Sequence, residues 1–405
     1  MMGGDRAWLR GRRGRSATIP LAASLALTGG AAAGCESPVP FYRPGHGSPD
    51  DPVVGLGGPA PYLPRPSGRD ADPAPLPGAA GGAVYAATGP GMIAPTARDL
   101  PARLYLANGR HIVVIEPRTL RIVRRVGAGR STARVVPSWD LRRLWAADAA
   151  HGTLVPVGPL SGRAGRPLRV ADPAALYFTP DGHDALVLST RTRSLDVRDP
   201  RTMLPRASIP LPCAARYADF TLDGASVVAS CAAAGRLVRV DVPHRRVTAT
   251  LRLPDGAHPA DLRLSPDGGA FFVADAARGG IWLVDARRLA RPGFVRTATG
   301  ARGLAVSRDA RRLFVVGGGT LAAVDFATRR VTARWRLPGG GSAVPGGVSS
   351  DGTALWLATP TGTVCAVSTR DGRVLRKLHV GGRPAGLTVH PQPGRHSLGG
   401  TGLYR

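Results

Sequence analysis

The chain has 405 residues, of which 43% are apolar, enough to bury one large core or two smaller ones. Its formal net charge of +27 suggests a nucleic-acid partner, but we expect none, because the basic residues are scattered along the chain and almost all are arginines. Lys377 is the only lysine, and abundant Ala, Gly and Pro accompany the arginines, as is typical of GC-rich coding. Such a surface charge suits attraction to anionic lipid headgroups or cell-wall polymers.

Residues 1–34 are predicted to be a lipoprotein signal peptide. Five arginines precede a run of apolar and small residues, Ile19 to Ala33, that is too short for a permanent membrane span. The run ends in Ala-Ala-Gly-Cys35, which resembles a bacterial lipobox, although Ala32 stands where leucine is usual. The resemblance implies a lipid on Cys35 and attachment to the outer face of the cytoplasmic membrane. The alternative is an ordinary signal peptide and secretion, and the export route, Sec or twin-arginine, stays open.

Residues 35–82 are predicted to be a disordered tether. They are dense in Pro and Gly and show a hydrophobic period of neither 2 nor 3.6 residues. Such a segment buries too little apolar surface to offset the entropy of ordering it. We therefore place the folded domain at residues 83–405.

A turn that contains aspartate recurs through the folded domain. Successive copies lie 41 to 44 residues apart, which indicates a repeat protein. The copies are PSWD, TPDG, TLDG, SPDG, SRDA and SSDG, with their aspartates at Asp140, Asp181, Asp223, Asp267, Asp309 and Asp351.

Each repeat holds four short runs of β-branched or aromatic residues between turn residues. HIVVIE (His111 to Glu116) and RIVRRV (Arg121 to Val126) are two such runs, and neither has helical periodicity. The pattern predicts an all-β fold. Most copies of the second run end in an acid, such as Glu116 or Asp241. We expect these acids to accept backbone N–H bonds in the following turn rather than to catalyse a reaction.

Seven runs occupy the first position of a repeat, directly before a turn, and the last of them is Gly386 to Val389. Seven four-stranded units with this period are typical of a β-propeller, in which each sheet is a blade. The first unit begins with its second strand at Leu104, whereas the last run, Gly386 to Val389, has no unit of its own. We therefore predict that this C-terminal strand becomes the innermost strand of the first blade and closes the ring. The place of residues 82–102 stays open.

The stretch LYLANGRHIVVIEPRTLRIVRRVGAG, Leu104 to Gly129, resembles the unit of the bacterial YVTN-repeat (YncE-like) propellers. YLAN stands where that family has YVAN, VVIEPRT stands where it has a VIDP-type turn, and WRLPGGG and LSPDG also fit. The similarity covers roughly residues 103–391 and implies an exported, seven-bladed scaffold, but no particular reaction. The Gly-His and Trp-Asp signatures of WD repeats are missing.

The loops that lead into the innermost strands are the expected ligand-binding region, since propeller ligands tend to bind at the central funnel. Arginines outnumber aspartates there, which predicts a cationic mouth for a small anionic ligand or a protein partner. Alternatively, the arginines pair with the aspartates across blades in a solvated rim. The predicted ligand-binding residues are Arg134, Asp172, Tyr177, Arg216, Tyr217, Asp219, His258, Asp261, Arg302 and Arg383.

Cys213 and Cys231 lie on either side of one recurring turn. Outside the cytoplasm such a pair is usually bonded, which favours a disulfide if the chain curls back at Pro212. Two buried thiols, or a metal or redox site, are the alternatives. Cys365 lies inside a run and is expected to be a small core residue.

The sequence motifs indicate no catalytic residue, cofactor or metal site. The nine histidines lack helical zinc spacing, and the chain contains no CxxCH, GxSxG or Walker motif. We therefore interpret the protein as a monomeric binding or protein-interaction scaffold. One alternative is a propeller enzyme, lactonase-like or a quinone-linked oxidoreductase, although Glu36 and Glu116 are the only glutamates. Another is an accessory subunit of an exported redox or transport system.

Overall fold

Seven antiparallel sheets form the blades of a β-propeller in the computed structural model, which describes residues 84–405. The helices in this range are two 3-10 turns, η1 (Pro95–Ala97) and η2 (Ala232–Ala234), so no described helix is long and apolar enough to cross a membrane. The all-β fold and the seven blades are confirmed. The predicted signal peptide, the tether and Cys35 lie outside the described residues.

Most blades consist of four consecutive strands, with the first strand innermost and the last outermost. Blades 1 to 3 contain β1 (Arg103–Asn108), β2 (His111–Glu116), β3 (Arg121–Gly127); β4 (Arg134–Pro137), β5 (Leu144–Asp148), β6 (Thr153–Val157), β7 (Leu168–Arg169); and β8 (Ala175–Phe178), β9 (Ala185–Ser189), β10 (Ser194–Arg198), β11 (Pro205–Pro210). Blades 4 and 5 contain β12 (Tyr217–Phe220), β13 (Ser226–Cys231), β14 (Arg236–Asp241), β15 (Arg246–Arg252); and β16 (Pro259–Leu264), β17 (Ala270–Asp275), β18 (Gly280–Asp285), β19 (Ala290–Arg296). Blades 6 and 7 contain β20 (Gly303–Val306), β21 (Arg312–Val316), β22 (Thr320–Asp325), β23 (Val331–Arg336); and β24 (Val344–Val348), β25 (Ala354–Ala358), β26 (Thr363–Ser368), β27 (Val374–His379). The remaining strands are β28 (Gly386–His390), β29 (Ser397–Gly399) and β30 (Leu403–Tyr404).

Strand β28 closes the ring. It pairs antiparallel with β1, so that Arg103 lies opposite His390 and Ala107 lies opposite Gly386. Blade 1 therefore takes its innermost strand from the C-terminal part of the chain, as predicted. A ring closed in this way leaves no apolar blade face uncovered.

The core consists of the apolar seams between neighbouring blades. Successive side chains of a strand point to opposite faces, and in the inner strands both faces are buried. In blade 1, Tyr105 and Ile112 pack towards blade 2, whereas Leu104 and Val113 pack towards blade 7. This is why the inner strands appear in the sequence as continuous apolar runs, while most of the outermost strand β3 is exposed.

The recurring aspartates share one turn geometry. At Asp309 the carboxylate accepts a hydrogen bond from the hydroxyl of Ser307 at 2.5 Å and from the backbone N–H of Arg311 at 3.2 Å. The Ser307 hydroxyl in turn accepts the N–H of Arg312 at 2.9 Å, which closes the hairpin. The same pair of carboxylate bonds recurs at Asp140, Asp181, Asp223, Asp267 and Asp351.

The acids that end β2 and the corresponding strands of other blades, such as β18 and β22, also stabilise turns, as predicted. Asp325 accepts the backbone N–H of Thr328 at 2.7 Å, and this bond lowers the pKa of the carboxyl group. Asp285 accepts the N–H of Arg288 at 2.7 Å in the same way. A short carboxylate in this place satisfies donors that the strand ladder leaves free.

Residues 84–102, whose place the sequence left open, lie along the face of the ring that carries the recurring turns, here called the turn face. The N–H of Val84 donates to Pro266 O, and the N–H of Gly91 donates to Ser350 O, each at 2.8 Å. Further along, Ala97 packs on Leu141. The segment thus crosses from the turn of blade 5 to the turn of blade 2 before β1 begins.

Candidate functional site: a cationic cup above the C-terminal tail

The C-terminal tail, residues 391–405, lies inside the ring. Strand β29 pairs with β8 through Gly399 and Tyr177, and β30 pairs with β29, so the sheet of blade 3 has six strands. Leu398 and Leu403 are buried in the seam between blades 3 and 4. On the far side of the channel, the hydroxyl of Tyr404 lies 3.5 Å from Val306 O in blade 6. The tail therefore fills the axial channel.

Two buried ion pairs hold the tail. Nη1 of Arg263 donates to Asp261 at 2.6 Å, both side chains being only 2% exposed, and its Nη2 donates to Thr401 O at 2.8 Å. Nη2 of Arg405 donates to Asp219 at 2.6 Å. Burial acts to lower the pKa of Arg263, but the attraction of Asp261 and Asp219 outweighs it and raises that pKa. Both buried carboxylates are thus neutralised by guanidinium groups, as burial of charge requires.

A cavity of about 430 Å³ opens above the tail, on the face opposite the turn face. We call it the cup. Gly400 and Thr401, in the turn between β29 and β30, lie at its base, and small or apolar residues of the innermost strands, such as Ala260 and Pro345, form its walls. Because the tail fills the channel below, a ligand enters the cup from one side.

Three arginines, Arg134, Arg216 and Arg302, line the cup. Within residues 84–405 none of them forms a salt bridge or a side-chain hydrogen bond. The guanidinium of Arg134 lies 4.8 Å from the centre of the Tyr217 ring, an arrangement that fixes its direction, and its buried Nη1 has no partner among the described residues. The cup therefore presents charged donors that the described protein does not satisfy.

The acids near the cup are already occupied. Asp261 accepts the N–H groups of Leu262 and Leu304 as well as the Arg263 and Thr401 side chains. Asp275 accepts the backbone N–H of His258 at 3.1 Å and so positions the loop that carries this histidine. The local field is therefore cationic. Among the described residues, no group of three His, Cys, Asp or Glu side chains is placed to hold a metal ion.

The structure brings six of the ten predicted ligand-binding residues together and leaves four outside the cup. The six are Arg134, Arg216, Tyr217, His258, Asp261 and Arg302. Of the other four, Asp172 accepts hydrogen bonds from the hydroxyl of Thr190 and the N–H of Arg191, so it caps a turn. Arg383 is exposed on a loop that does not line the cup.

Tyr177 and Asp219 lie deeper, beside the tail. The hydroxyl of Tyr177 accepts the N–H of Ala218 at 2.8 Å, and burial raises the pKa of this phenol. Asp219 is fully buried and pairs with Arg405. Both residues were predicted to contact ligand because they belong to innermost strands, but the tail covers the part of each strand where they lie.

The residues that sequence reasoning missed belong to the tail. Gly400 and Thr401 follow the end of the last repeat, and the stretch LGGTGLYR matches no part of the repeat pattern. The one available signal was Leu398, Leu403 and Tyr404, apolar residues that a solvated tail would not need.

A disulfide supports one wall of the cup. The structure joins Cys213 to Cys231 with their Cα atoms 6.0 Å apart, which links the segment before β12 to the end of β13. Arg216 and Tyr217 come directly after that segment, so the bond restrains the backbone that positions them.

Cys365 is buried in the seam between blades 6 and 7, where burial raises the pKa of its thiol.

Comparisons with known proteins agree on the fold. No protein-family model matches the chain, and no curated protein matches it. Among solved structures, the chain is similar to the Kuenenia stuttgartiensis hydrazine synthase, with a TM-score of 0.57 and 16% identity over 68% of this chain and 97% of that chain. It is also similar to a functionally unknown protein from Desulfotomaculum acetoxidans DSM 771, with a TM-score of 0.59 and 15% identity over 71% of this chain and 98% of that chain. At these identities the likeness shows the fold alone, which is that of a seven-bladed β-propeller.

Proposed function

We propose that the protein is an exported, membrane-tethered propeller of the YVTN-repeat type that acts as a binding scaffold and takes a small anionic ligand in the cup. The observation that carries the proposal is the set of three guanidinium groups around one cavity, Arg134, Arg216 and Arg302, none paired with a carboxylate among the described residues. If the arginines of the rim formed ion pairs with aspartates across blades, these guanidinium groups would not be free to bind a ligand.

The cup suits an oxyanion for three physical reasons. Guanidinium forks match the geometry of carboxylate and phosphate groups and bind them through paired hydrogen bonds. The cavity volume of about 430 Å³ lies within the range of small-molecule sites. The neighbouring Asp261 is neutralised by Arg263, so it adds little repulsion.

Isothermal titration calorimetry with citrate and with inorganic phosphate tests the cup. We expect the Arg216→Ala/Arg302→Ala variant to bind the preferred anion at least about tenfold more weakly, since each lost charge-assisted bond contributes more than 1 kcal/mol. The Arg288→Ala/Arg330→Ala variant is the control, because it loses two exposed arginines of the outer turns and so the same charge. Equal losses in both variants, or no binding of either anion by the wild type, would overturn the proposal.

The tether rests on a separate argument. The basic and apolar segment before Cys35, followed by 48 Pro- and Gly-rich residues from 35 to 82, supports lipid attachment at a distance from the folded domain. Metabolic labelling with an alkyne fatty acid checks it: label should enter the wild type and be absent from the Cys35→Ser variant. Label retained in the variant, or none in the wild type, would remove the lipid anchor and leave secretion as the alternative.

A further inference from the structure

A second cavity, of about 500 Å³, lies on the turn face at the seam between blades 2 and 3. We call it the seam groove. Residues 138–140, 142 and 143 of the blade 2 turn line it, together with residues 181–183 of the blade 3 turn, residues 200–202 of the β10–β11 loop and Trp145. None of these residues belongs to the cup.

The wall of the seam groove contains an unsatisfied donor. Trp145 is 1% exposed, and its indole Nε1–H finds no acceptor among the described residues. Two other indole donors have acceptors: that of the half-buried Trp139 donates to Pro180 O at 3.1 Å, and that of the buried Trp282 donates to Asp275 at 2.7 Å. A buried donor without a partner is costly, so an acceptor supplied from outside the chain would relieve the cost.

Positive charge surrounds this donor. The guanidinium of Arg143 lies 5.5 Å from the centre of the Trp145 ring and is held there because its Nη1 donates to Arg201 O at 3.1 Å. Arg142 and Arg201 are exposed at the rim, and among the described residues their guanidinium groups form no salt bridge. The preferred acceptor is therefore a negatively charged one.

The two carboxylates of the groove are partly occupied. Asp140 accepts the hydroxyl of Ser138 and the N–H of Arg142 through one oxygen, as the turn requires. Asp181 lies 3.2 Å from the Nδ1 of His183. Three arginines outweigh the two acids, so the groove remains favourable for an anion.

Sugar stacking does not explain the groove. One face of Trp139 stacks on His396 with ring centres 5.3 Å apart. Its atoms also lie so close to Gly182 that a Cβ there would come within 2.7 Å of the indole ring. This ring is packed between protein groups and offers no free aromatic platform.

We propose that the seam groove is a second binding site, for a small molecule that carries an oxyanion. One oxygen of the ligand accepts the indole N–H of Trp145, and the guanidinium groups of Arg142 and Arg201 supply the opposite charge. Arg143 acts as a positioning residue, since it stacks on the indole and is anchored by a backbone carbonyl.

Two-dimensional ¹⁵N NMR of the indole N–H signals tests the site in the full chain. The Trp145→Phe variant, which keeps an aromatic ring but lacks the donor, assigns the signal. Titration with citrate and, separately, with inorganic phosphate is expected to move the Trp145 signal to saturation with at least one of them, and the anion that acts tells a carboxylate from a phosphate site.

Two pairs of surface variants decide where the anion binds. Arg142→Gln/Arg201→Gln should raise the Kd obtained from the shift of the Trp145 signal about tenfold, whereas the cup variant Arg216→Ala/Arg302→Ala should leave this Kd unchanged. A Trp145 signal that neither anion moves would overturn the proposal, because a water molecule would then suffice as acceptor. It would also be overturned if the cup variant abolished the shift or if the groove variant left it intact.

Discussion

The guanidinium of Arg405 donates a hydrogen bond to the carboxylate of Asp219 over 2.6 Å, and so joins residues that lie 186 positions apart in the chain. Asp219 is fully buried, and its remaining acceptor bonds come from the backbone N–H groups of Phe220 and Leu264. Arg405→Ala should therefore lower the free energy of unfolding by about 2–4 kcal/mol, because it leaves a buried charge without its partner. Urea unfolding measures the loss, and the exposed Arg383→Ala serves as the control. Equal effects of the two substitutions would show that the tail does not depend on this ion pair.

At the seam of blades 6 and 7, replacement of Gly372 by any residue with a side chain is predicted to destabilise the fold. Its φ is +72°, and a Cβ would come within 2.0 Å of Trp335. Gly372→Ala should cost about 3 kcal/mol, through overpacking and an unfavourable backbone conformation. Gly109 is a matched control, since its φ is +62° and a Cβ there meets nothing within 4 Å, so Gly109→Ala should cost only about 1 kcal/mol. Similar losses in urea unfolding would mean that the seam relaxes around the added methyl group.

The disulfide should contribute through the unfolded chain as well as through the wall of the cup. Cys213 and Cys231 are 18 residues apart, and closing a loop of this length is worth about 3 kcal/mol in the chain-entropy description. The Cys213→Ser/Cys231→Ser variant should lose about this much free energy of unfolding. Dithiothreitol should lower the Tm of the wild type and leave that of the variant unchanged. A wild type indifferent to the reductant would show that the two thiols are not bonded in solution.

Two buried histidines, His390 at the end of β28 and His396 in the tail, predict a loss of stability in acid. Burial lowers the pKa of His390 from 6.5 to about 4, and burial with the nearby Arg405 and Arg395 lowers that of His396 to about 4 as well. The unfolded chain binds these protons near pH 6.5, whereas the folded protein resists them until about pH 4. The stability they contribute is therefore complete above pH 6.5 and is lost as the pH falls towards 4, by at most about 3 kcal/mol for each histidine.

Urea unfolding across this pH range provides the measurement. The His390→Phe/His396→Phe variant keeps an aromatic ring at each position and should show a flatter dependence on pH than the wild type. An identical slope in the two proteins would assign the acid sensitivity to other groups.

The architecture could be predicted from the sequence because its physical causes repeat. Apolar runs buried on both faces, and an aspartate that accepts one hydroxyl and one N–H in each turn, recur with a period that only a ring of sheets explains. The unpaired run at Gly386 to Val389 predicted the closing strand by the same logic. Local chemistry and global topology agree in these elements, so each supports the other.

The depth of the cup could not be predicted, because it depends on a segment outside the repeat. Arg216 and Asp219 are three residues apart, so they differ by about 10 Å along an extended strand. Arg216 lies at the cup and Asp219 lies beside the tail. Nothing in the repeat pattern says where along the channel the tail ends, since Leu398 and Leu403 gain their burial only once the ring exists.

The pairing of β28 with β1 has a consequence for biosynthesis. During translation β1 emerges early, yet its partner is not made until Gly386 to His390 leaves the ribosome. Throughout that interval the first blade carries a bare inner edge, able to pair with any strand it meets. A chain that stops before Gly386 would keep that edge open, so synthesis of β28 is itself a condition for protecting β1 from pairing with a foreign strand.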